Sequence, residues 1–207
     1  MKQLWFIAAL LAPSTLLIES HWGDEAHGQA VAEALFQSGK SAAARGDWQA
    51  ACDRFAESHR IEPTAGAALN LGRCYEKLGQ LASAWESYVE VTDRVAASDP
   101  RSSFAADQAE RLYPLVPTIK LLLPAEWPQA ARVTVDGRDM ERGSFGLDLP
   151  YDPGRVEIVI INDGLQVRRE EVTLKPKEHL VYQLDLGASV ALSAPSAPGG
   201  EREPRAV

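Results

Sequence analysis

The two halves of the chain differ in how apolar and polar residues follow one another. From about residue 31 to residue 95 the chain is rich in Ala, Leu and Glu and repeats its own pattern of small and aromatic residues. After residue 116, short runs of Val, Ile and Leu alternate with polar residues and are separated by turn residues. This change predicts an α+β fold, in which a helical repeat stack of about five helices precedes a small antiparallel β-sandwich.

A period of 33 residues organises the helical half. Four positions return at this offset with a residue of the same kind: Gly39 as Gly72, Gly46 as Gly79, Ala51 as Ala84 and Phe55 as Tyr88. Each unit fits two helices joined by a short turn, so we expect helices over residues 31–45, 48–60, 65–78 and 81–96. The small residues would let neighbouring helices approach closely, and the aromatic side chains would fill the gaps between them.

A fifth helix is expected to close the stack, because two repeats alone would expose an apolar end face. Asp99 and Pro100 break the chain after the fourth helix, and Ser103 would cap a helix over about residues 104–113. The buried face of this helix would carry Phe104, Ala105, Ala109 and Leu112.

Six strands are expected in the second half: Thr118–Leu123, Arg132–Val135, Gly146–Leu149, Val156–Ile161, Leu165–Leu174 and Leu180–Leu186. Asp136-Gly137 marks a turn, and Asn162-Asp163-Gly164 predicts a hairpin, because Asp-Gly tolerates the positive φ of tight turns. Short strands with frequent turns favour an antiparallel sandwich.

The helical units resemble the tetratricopeptide repeat (TPR). The family pattern is Leu-Gly, then Tyr, then an Ala and a large aromatic residue on the second helix, then Pro. The second unit carries Leu71-Gly72, Tyr75, Ala84 and Tyr88, and the first carries Gly39, Ala51, Phe55 and Pro63. The resemblance implies a stack whose first helices line a concave face that binds other proteins.

The second half resembles the PEGA domain, a small bacterial β module. Its pattern is a strand with Val-Asp-Gly, here Val135 to Gly137, and a Pro-Gly turn into a later strand, here Pro153-Gly154. Together the two resemblances imply a bacterial cell-envelope protein. We therefore expect a TPR-like domain over residues 31–116, a PEGA-like domain over residues 117–187 and a disordered tail over residues 188–207.

Residues 1–30 are typical of an export signal. Lys2 precedes an almost wholly apolar run from Leu4 to Ile18, which is short for a bilayer-spanning helix. Gly28 and Ala30 supply the small residues expected before a cleavage point, so we expect cleavage after Ala30 and a periplasmic or otherwise exported protein. The alternative is an uncleaved N-terminal segment, which would be the chain's one attachment to a membrane.

The net charge and the absence of known catalytic motifs exclude several classes of function. The chain has 21 basic and 29 acidic residues, a net charge of −8 without a basic block, so a nucleic-acid partner is not expected. No nucleophile elbow, phosphate loop, dinucleotide fingerprint or zinc-protease motif occurs in the sequence. A metal-like group of His21, Asp24, Glu25 and His27 precedes the expected cleavage point. We therefore expect neither an enzyme nor a bound metal or cofactor.

Two cysteines lie on helices that are neighbours in such a stack. Cys52 belongs to the second helix of the first unit and Cys74 to the first helix of the second unit. An exported chain permits a disulfide bond between them. Two buried free thiols remain the alternative.

Five residues are candidates for binding a partner on the concave face. Asn70, Arg73 and Lys77 share one stripe of their helix by spacing, and Phe36 and Lys40 would flank it from the first unit. In TPR proteins that hold a partner's C-terminal carboxylate, Asn and Lys residues occupy this face, and Asn70 falls on such a place. The stripe favours an acidic peptide, whereas the alternative is a solvated helix face without a partner.

The leading hypothesis is a non-catalytic, exported envelope protein that binds another protein through the helical groove. A second hypothesis is a cell-wall or polysaccharide-binding module, in which the aromatic residues Trp127 and Tyr151 of the β domain stack on sugars. A third is an accessory subunit of an envelope enzyme.

Overall fold

The computed structural model describes residues 21–186, with side chains from residue 26 onward. Within this range five helices are followed by strands in two sheets, which confirms the predicted α+β fold. Residues 1–20, which hold the apolar run of the expected export signal, and residues 187–207 lie outside the described part.

Four helices form two antiparallel pairs, and a fifth follows them. Their bounds are α1 His21–Ala44, α2 Trp48–Ile61, α3 Ala65–Leu78, α4 Leu81–Arg94 and α5 Pro100–Leu112. The second to fourth agree with the prediction to within two residues, but α1 begins ten residues before the predicted start at residue 31. The expected cleavage point after Ala30 therefore lies inside α1. A Cβ added to Gly28 would be 3.8 Å from Cγ2 of Ile61, so this early part of α1 packs against the end of α2.

The 33-residue repeat corresponds to one repeated contact between a glycine and an aromatic ring. A Cβ added to Gly39 would lie 2.7 Å from ring carbons of Phe55, and one added to Gly72 would lie 2.7 Å from a ring carbon of Tyr88. Phe55 and Tyr88 are each 1% exposed. The predicted role of the small residues, to let the paired helices approach closely, is confirmed.

The start of α5 differs from the prediction. The Asp99 carboxylate accepts a hydrogen bond from the Arg101 backbone N–H, and Pro100 occupies the first turn, where its missing N–H costs nothing. The predicted cap, Ser103, lies inside the helix and donates its hydroxyl to the Pro100 carbonyl. Phe104 was expected on the buried face but is 37% exposed, whereas the other three predicted residues of that face, Ala105, Ala109 and Leu112, are buried.

Seven strands form two sheets in the second half of the described chain. Their bounds are β1 Thr118–Leu122, β2 Arg132–Val135, β3 Arg138–Asp139, β4 Leu149–Pro150, β5 Gly154–Asn162, β6 Leu165–Leu174 and β7 His179–Gln183. The strand order is β4-β1-β7 in one sheet and β3-β2-β5-β6 in the other. One apolar core is shared by inner faces of both sheets: Ile119, Leu121, Val133, Val135, Val156, Ile158, Ile160, Leu174 and Leu184.

The predicted sandwich is antiparallel except for one pair, since β1 and β7 run parallel. These strands are far apart in sequence, so no tight hairpin fixes their relative direction. The strand predicted at Gly146–Leu149 begins later, at Leu149, because Gly146 adopts a positive φ of 81°. The last strand begins at His179 and ends at Gln183, earlier than its predicted end at Leu186.

Both predicted Asp-Gly turns are present. Asp163 and Gly164 have φ values of 50° and 78°, and the turn joins β5 to β6 as an antiparallel pair. Asp136 and Gly137 have φ values of 49° and 76° and join β2 to β3. Two consecutive positive φ values are the geometry of the tight hairpin turn that Asp-Gly favours.

One carboxylate of the β unit binds the start of a helix in the stack. Asp152 accepts the Ser83 backbone N–H at 3.0 Å and the Ser83 hydroxyl at 2.6 Å. Ser83 lies in the first turn of α4, whose own N-cap residue, Gln80, makes no side-chain hydrogen bond there. Asp152 thus satisfies a free helix N–H from a different unit and joins the two units.

Candidate partner-binding face

The candidate face is built by the first helix of each unit, by the start of α2 and by α5. Phe36 of α1 lies against Phe55, with ring centroids 5.6 Å apart, which fixes the ring at the inner side of the first pair. A Cβ added to Gly66 would lie 4.0 Å from Cζ of Phe36, so the start of α3 approaches α1 at this ring. Phe36 is half-buried and belongs in part to the packing of the stack.

Three predicted cations lie over aromatic rings. The Lys40 Nζ is 5.0 Å from the Phe36 ring centroid, and the Arg73 Cζ is 4.9 Å from that of Phe104. The Lys77 Nζ is 5.9 Å from the Trp48 ring centroid. We call these three pairs the cation–ring face. Lys40 and Arg73 are 33 residues apart and so occupy the same position in the two units.

All three cations of the cation–ring face are exposed. Among the described side chains, those of residues 26–186, none of the three cations has an ion-pair partner. Nearby arginines do: Arg101 pairs with Asp99 at 2.6 Å and Arg111 with Glu76 at 2.8 Å. An aromatic ring attracts a cation without cancelling its charge. These three positive charges are therefore available to a carboxylate from outside the chain.

Glu76 lies near Arg73 but is bound elsewhere. It accepts the Arg111 guanidinium of α5 and, at 3.4 Å, the Tyr88 hydroxyl. Burial of the Tyr88 ring, together with the charge of Glu76, raises the pKa of Tyr88 to about 12. The Glu76 carboxylate is thus held by partners on α4 and α5.

The predicted stripe on α3 is more spread out than its spacing indicates. Arg73 leans toward α5, where Phe104 lies, and Lys77 leans toward Trp48 at the start of α2. The amide of Asn70 donates to the Gly66 carbonyl at 2.8 Å, within its own helix. Asn70 is therefore directed along α3, and its amide is partly occupied.

Trp48 and Phe104 were not among the predicted binding residues. Trp48 directly follows the Gly46-Asp47 turn and packs in part against the core that contains Phe55. Phe104 was assigned to the core by its apolar character, although its ring is 37% exposed. A small cavity of about 230 Å³ also opens at one end of the face, where α1 and the end of α2 meet the starts of α3 and α5. Its lining includes Phe36, Gly66 and Arg101.

A disulfide bond joins Cys52 of α2 to Cys74 of α3, with the two Cα atoms 5.6 Å apart. The structure thus contains the bonded form of the two alternatives left open by the sequence. The bond links the first helical pair to the second and lies in the core beside Phe55. It therefore fixes α3, which carries Arg73 and Lys77, to the first pair.

The aromatic residues proposed for sugar stacking on the β domain are not open platforms. Trp127 and Tyr151 are half-buried and pack against the core of the sandwich. The Tyr151 hydroxyl lies 3.7 Å from the Met140 sulfur, and burial raises the pKa of this tyrosine. Both rings therefore contribute mainly to the packing of the sandwich core.

Within the described side chains, no group of three or more His, Cys, Asp or Glu residues is placed to hold a metal ion. The side chains of His21, Asp24 and Glu25 lie outside that part. No helix among residues 21–186 combines the length and apolar character needed to cross a bilayer. A scan against models of known protein families finds no match, and a search of curated proteins finds no significant relative.

Proposed function

We propose that this protein is a non-catalytic, exported cell-envelope protein that binds an acidic peptide segment of a protein partner. Binding occurs on the cation–ring face of the helical stack. The observation that carries the proposal is the presence there of three exposed cations, each held over an aromatic ring and none paired with a carboxylate of the described chain.

The chemistry of the face suits an extended acidic peptide. Lys40, Arg73 and Lys77 supply positive charge, and the rings of Phe36 and Phe104 supply apolar surface beside it. A guanidinium can also bind a carboxylate with two parallel hydrogen bonds. A peptide with alternating acidic and apolar residues would use both kinds of surface.

The export and envelope parts of the proposal rest on the sequence. The short apolar run after Lys2 is typical of a signal peptide, and the order of a TPR-like unit and a PEGA-like unit resembles bacterial envelope proteins. A disulfide bond between Cys52 and Cys74 is in keeping with an oxidising compartment.

The binding test uses the full chain and two synthetic peptides of the same sequence, made of Asp, Glu and Leu. One ends in a free carboxylate and the other in an amide. We expect the double variant Arg73→Ala, Lys77→Ala to weaken binding of the free-acid peptide by about tenfold, since exposed charge pairs contribute about 0.2–1 kcal/mol each. Binding by the unaltered chain should weaken as salt increases, and less so in the variant.

A matched control removes two exposed cations elsewhere, Arg54 on α2 and Lys175 after β6. The variant Arg54→Ala, Lys175→Ala changes the net charge equally and should bind as the unaltered chain does. Equal loss of affinity in both double variants would mean that only net charge matters. That result, or the absence of binding to either peptide, would overturn the proposal.

A further inference from the structure

A cleft of about 650 Å³ lies between the helical stack and the β unit, away from the cation–ring face. Its volume is in the range of small-ligand sites, about 300–1,000 Å³, and such sites often lie between domains. One side is formed by the end of the helical stack and the other by the outer face of the sheet that contains β1, β4 and β7. The lining residues are Trp85, Tyr113, Pro114, Val116, Thr118, Asp148, Pro150 and His179.

The helical side of the cleft presents two aromatic rings. The centroids of Trp85 and Tyr113 are 5.7 Å apart, and the ring planes are tilted by 44°. Trp85 packs in part against the core of the second helical pair, which holds its ring in place. Tyr113 is 67% exposed, so most of its ring is open to a ligand in the cleft.

The sheet side of the cleft presents polar groups. Thr118 and His179 are directly paired across β1 and β7, and the Thr118 hydroxyl lies 2.9 Å from Nδ1 of His179. Asp148 accepts the Lys120 ammonium at 2.7 Å and is 54% exposed. A carboxylate, an imidazole and a hydroxyl thus face two aromatic rings across one opening.

We infer that this cleft binds a neutral oligosaccharide of a few pyranose rings. A sugar ring has an apolar C–H face that stacks on an aromatic ring and hydroxyl groups that both donate and accept hydrogen bonds. The two aromatic rings of the cleft can stack on the C–H face, and its polar side chains can form hydrogen bonds with the hydroxyl groups. A proline-rich peptide, the other common occupant of aromatic clefts, presents mainly carbonyl acceptors, to which the Asp148 carboxylate cannot donate.

This site is independent of the proposed peptide face, because it shares no residue with that face. It also differs from the sugar surface expected from the sequence, since Trp127 and Tyr151 do not line it. Its aromatic residues come from the helical stack, and its polar groups come from the β unit.

The test titrates the full chain with cellotriose, maltotriose and triacetylchitotriose, following the Trp85 indole N–H by NMR and the heat of binding by calorimetry. At least one of the three sugars should bind with a Kd of about 1 mM or lower. Tyr113→Ala should weaken that binding by about tenfold, and Tyr113→Phe, which keeps the ring, should not. Leu165→Ala, which shortens another exposed apolar side chain in the β5–β6 hairpin, serves as the control.

Three results would overturn the inference. The first is that none of the three sugars binds. The second is that the unaltered chain and Tyr113→Ala bind the sugar with equal affinity. The third is that hexaproline, rather than a sugar, shifts the Trp85 indole signal. Tyr113 is largely exposed, so the alanine variant should fold, and its circular dichroism spectrum verifies this.

Discussion

The two helical pairs share one packing contact and differ in what surrounds it. In both, a glycine of the first helix lies against a buried ring of the second: Gly39 against Phe55, and Gly72 against Tyr88. Phe55 has no polar side-chain atom, whereas the Tyr88 hydroxyl reaches Glu76, which also binds Arg111 of α5. The first pair has one helical neighbour, and the second has a neighbour on each side.

The two pairs also differ in how they are attached to the rest of the molecule. The first pair is joined to the second by the bond between Cys52 and Cys74. The second pair is joined to the β unit by the two hydrogen bonds between Asp152 and Ser83. The repeated residues therefore set the packing within each pair, and residues outside the repeat set what each pair is attached to.

Removing the covalent attachment should have the largest effect. Replacing both Cys52 and Cys74 with Ala should lower the free energy of unfolding by about 3 kcal/mol, because the bond restricts the unfolded chain. Urea unfolding of the variant and of the unaltered, unreduced protein measures this difference. Thiol labelling of the unfolded, unreduced protein should find no free sulfhydryl, and two labelled cysteines per chain would contradict the bonded form.

Altering the shared packing contact comes next. Gly39→Ala places a methyl group against the buried Phe55 ring and should cost about 1–3 kcal/mol of unfolding free energy. Gly143→Ala is the control, since a Cβ there meets nothing within 4 Å and its φ is not positive. If both variants unfold with the same urea midpoint, the contact between Gly39 and Phe55 does not contribute to stability.

The attachment to the β unit should be weaker. Asp152→Ala removes two acceptors from the first turn of α4 and should cost about 1 kcal/mol, as loss of a helix cap does. Hydrogen exchange of the α4 amides should also speed up. The exposed carboxylate Glu126 provides the control, and an equal effect of Glu126→Ala would show that Asp152 has no special role.

The last effect concerns the ring that differs between the pairs and is absent at neutral pH, because it appears only where Tyr88 titrates. The pKa of Tyr88 is raised to about 12 in the folded chain, above its ordinary value of about 10. The unfolded chain therefore releases this proton first, and the stability contributed by neutral Tyr88 is complete below pH 10 and lost as the pH rises through 12. The variant Tyr88→Phe has no hydroxyl to titrate, so its free energy of unfolding should fall less at alkaline pH than that of the unaltered chain. Identical pH profiles of urea unfolding for the two proteins would contradict the raised pKa.

Much of the helical half could be predicted because its information is local and repeated. Gly39 and Gly72 stand opposite Phe55 and Tyr88 at the same offset, so the sequence alone indicates their contact. The start of α5 was placed wrongly although a local pattern was present. An Asp followed by Pro is a common helix start, and Asp99 rather than Ser103 is the cap.

The β half and the junction depend on contacts that are distant in sequence. The hairpin at Asp163 and Gly164 was predictable from two residues, but the parallel pairing of β1 with β7 joins segments about 60 residues apart. The bond from Asp152 to Ser83 spans 69 residues and leaves no pattern in either segment. For the same reason, neither the aromatic partner of Arg73 on α5 nor the cleft beside Tyr113 could be predicted from the helix spacing.

Two regions of the helical stack have different proposed tasks: the cation–ring face is proposed to bind an acidic peptide, whereas the start of α4 is hydrogen-bonded to the β unit. NMR of the full chain during titration with the free-acid peptide distinguishes these regions in one experiment. We expect shifts of the Arg73 Nε–H signal and of the Phe104 ring, with Ser83 unchanged. Shifts centred on Ser83 and Asp152, or none at Arg73, would contradict the proposed peptide site.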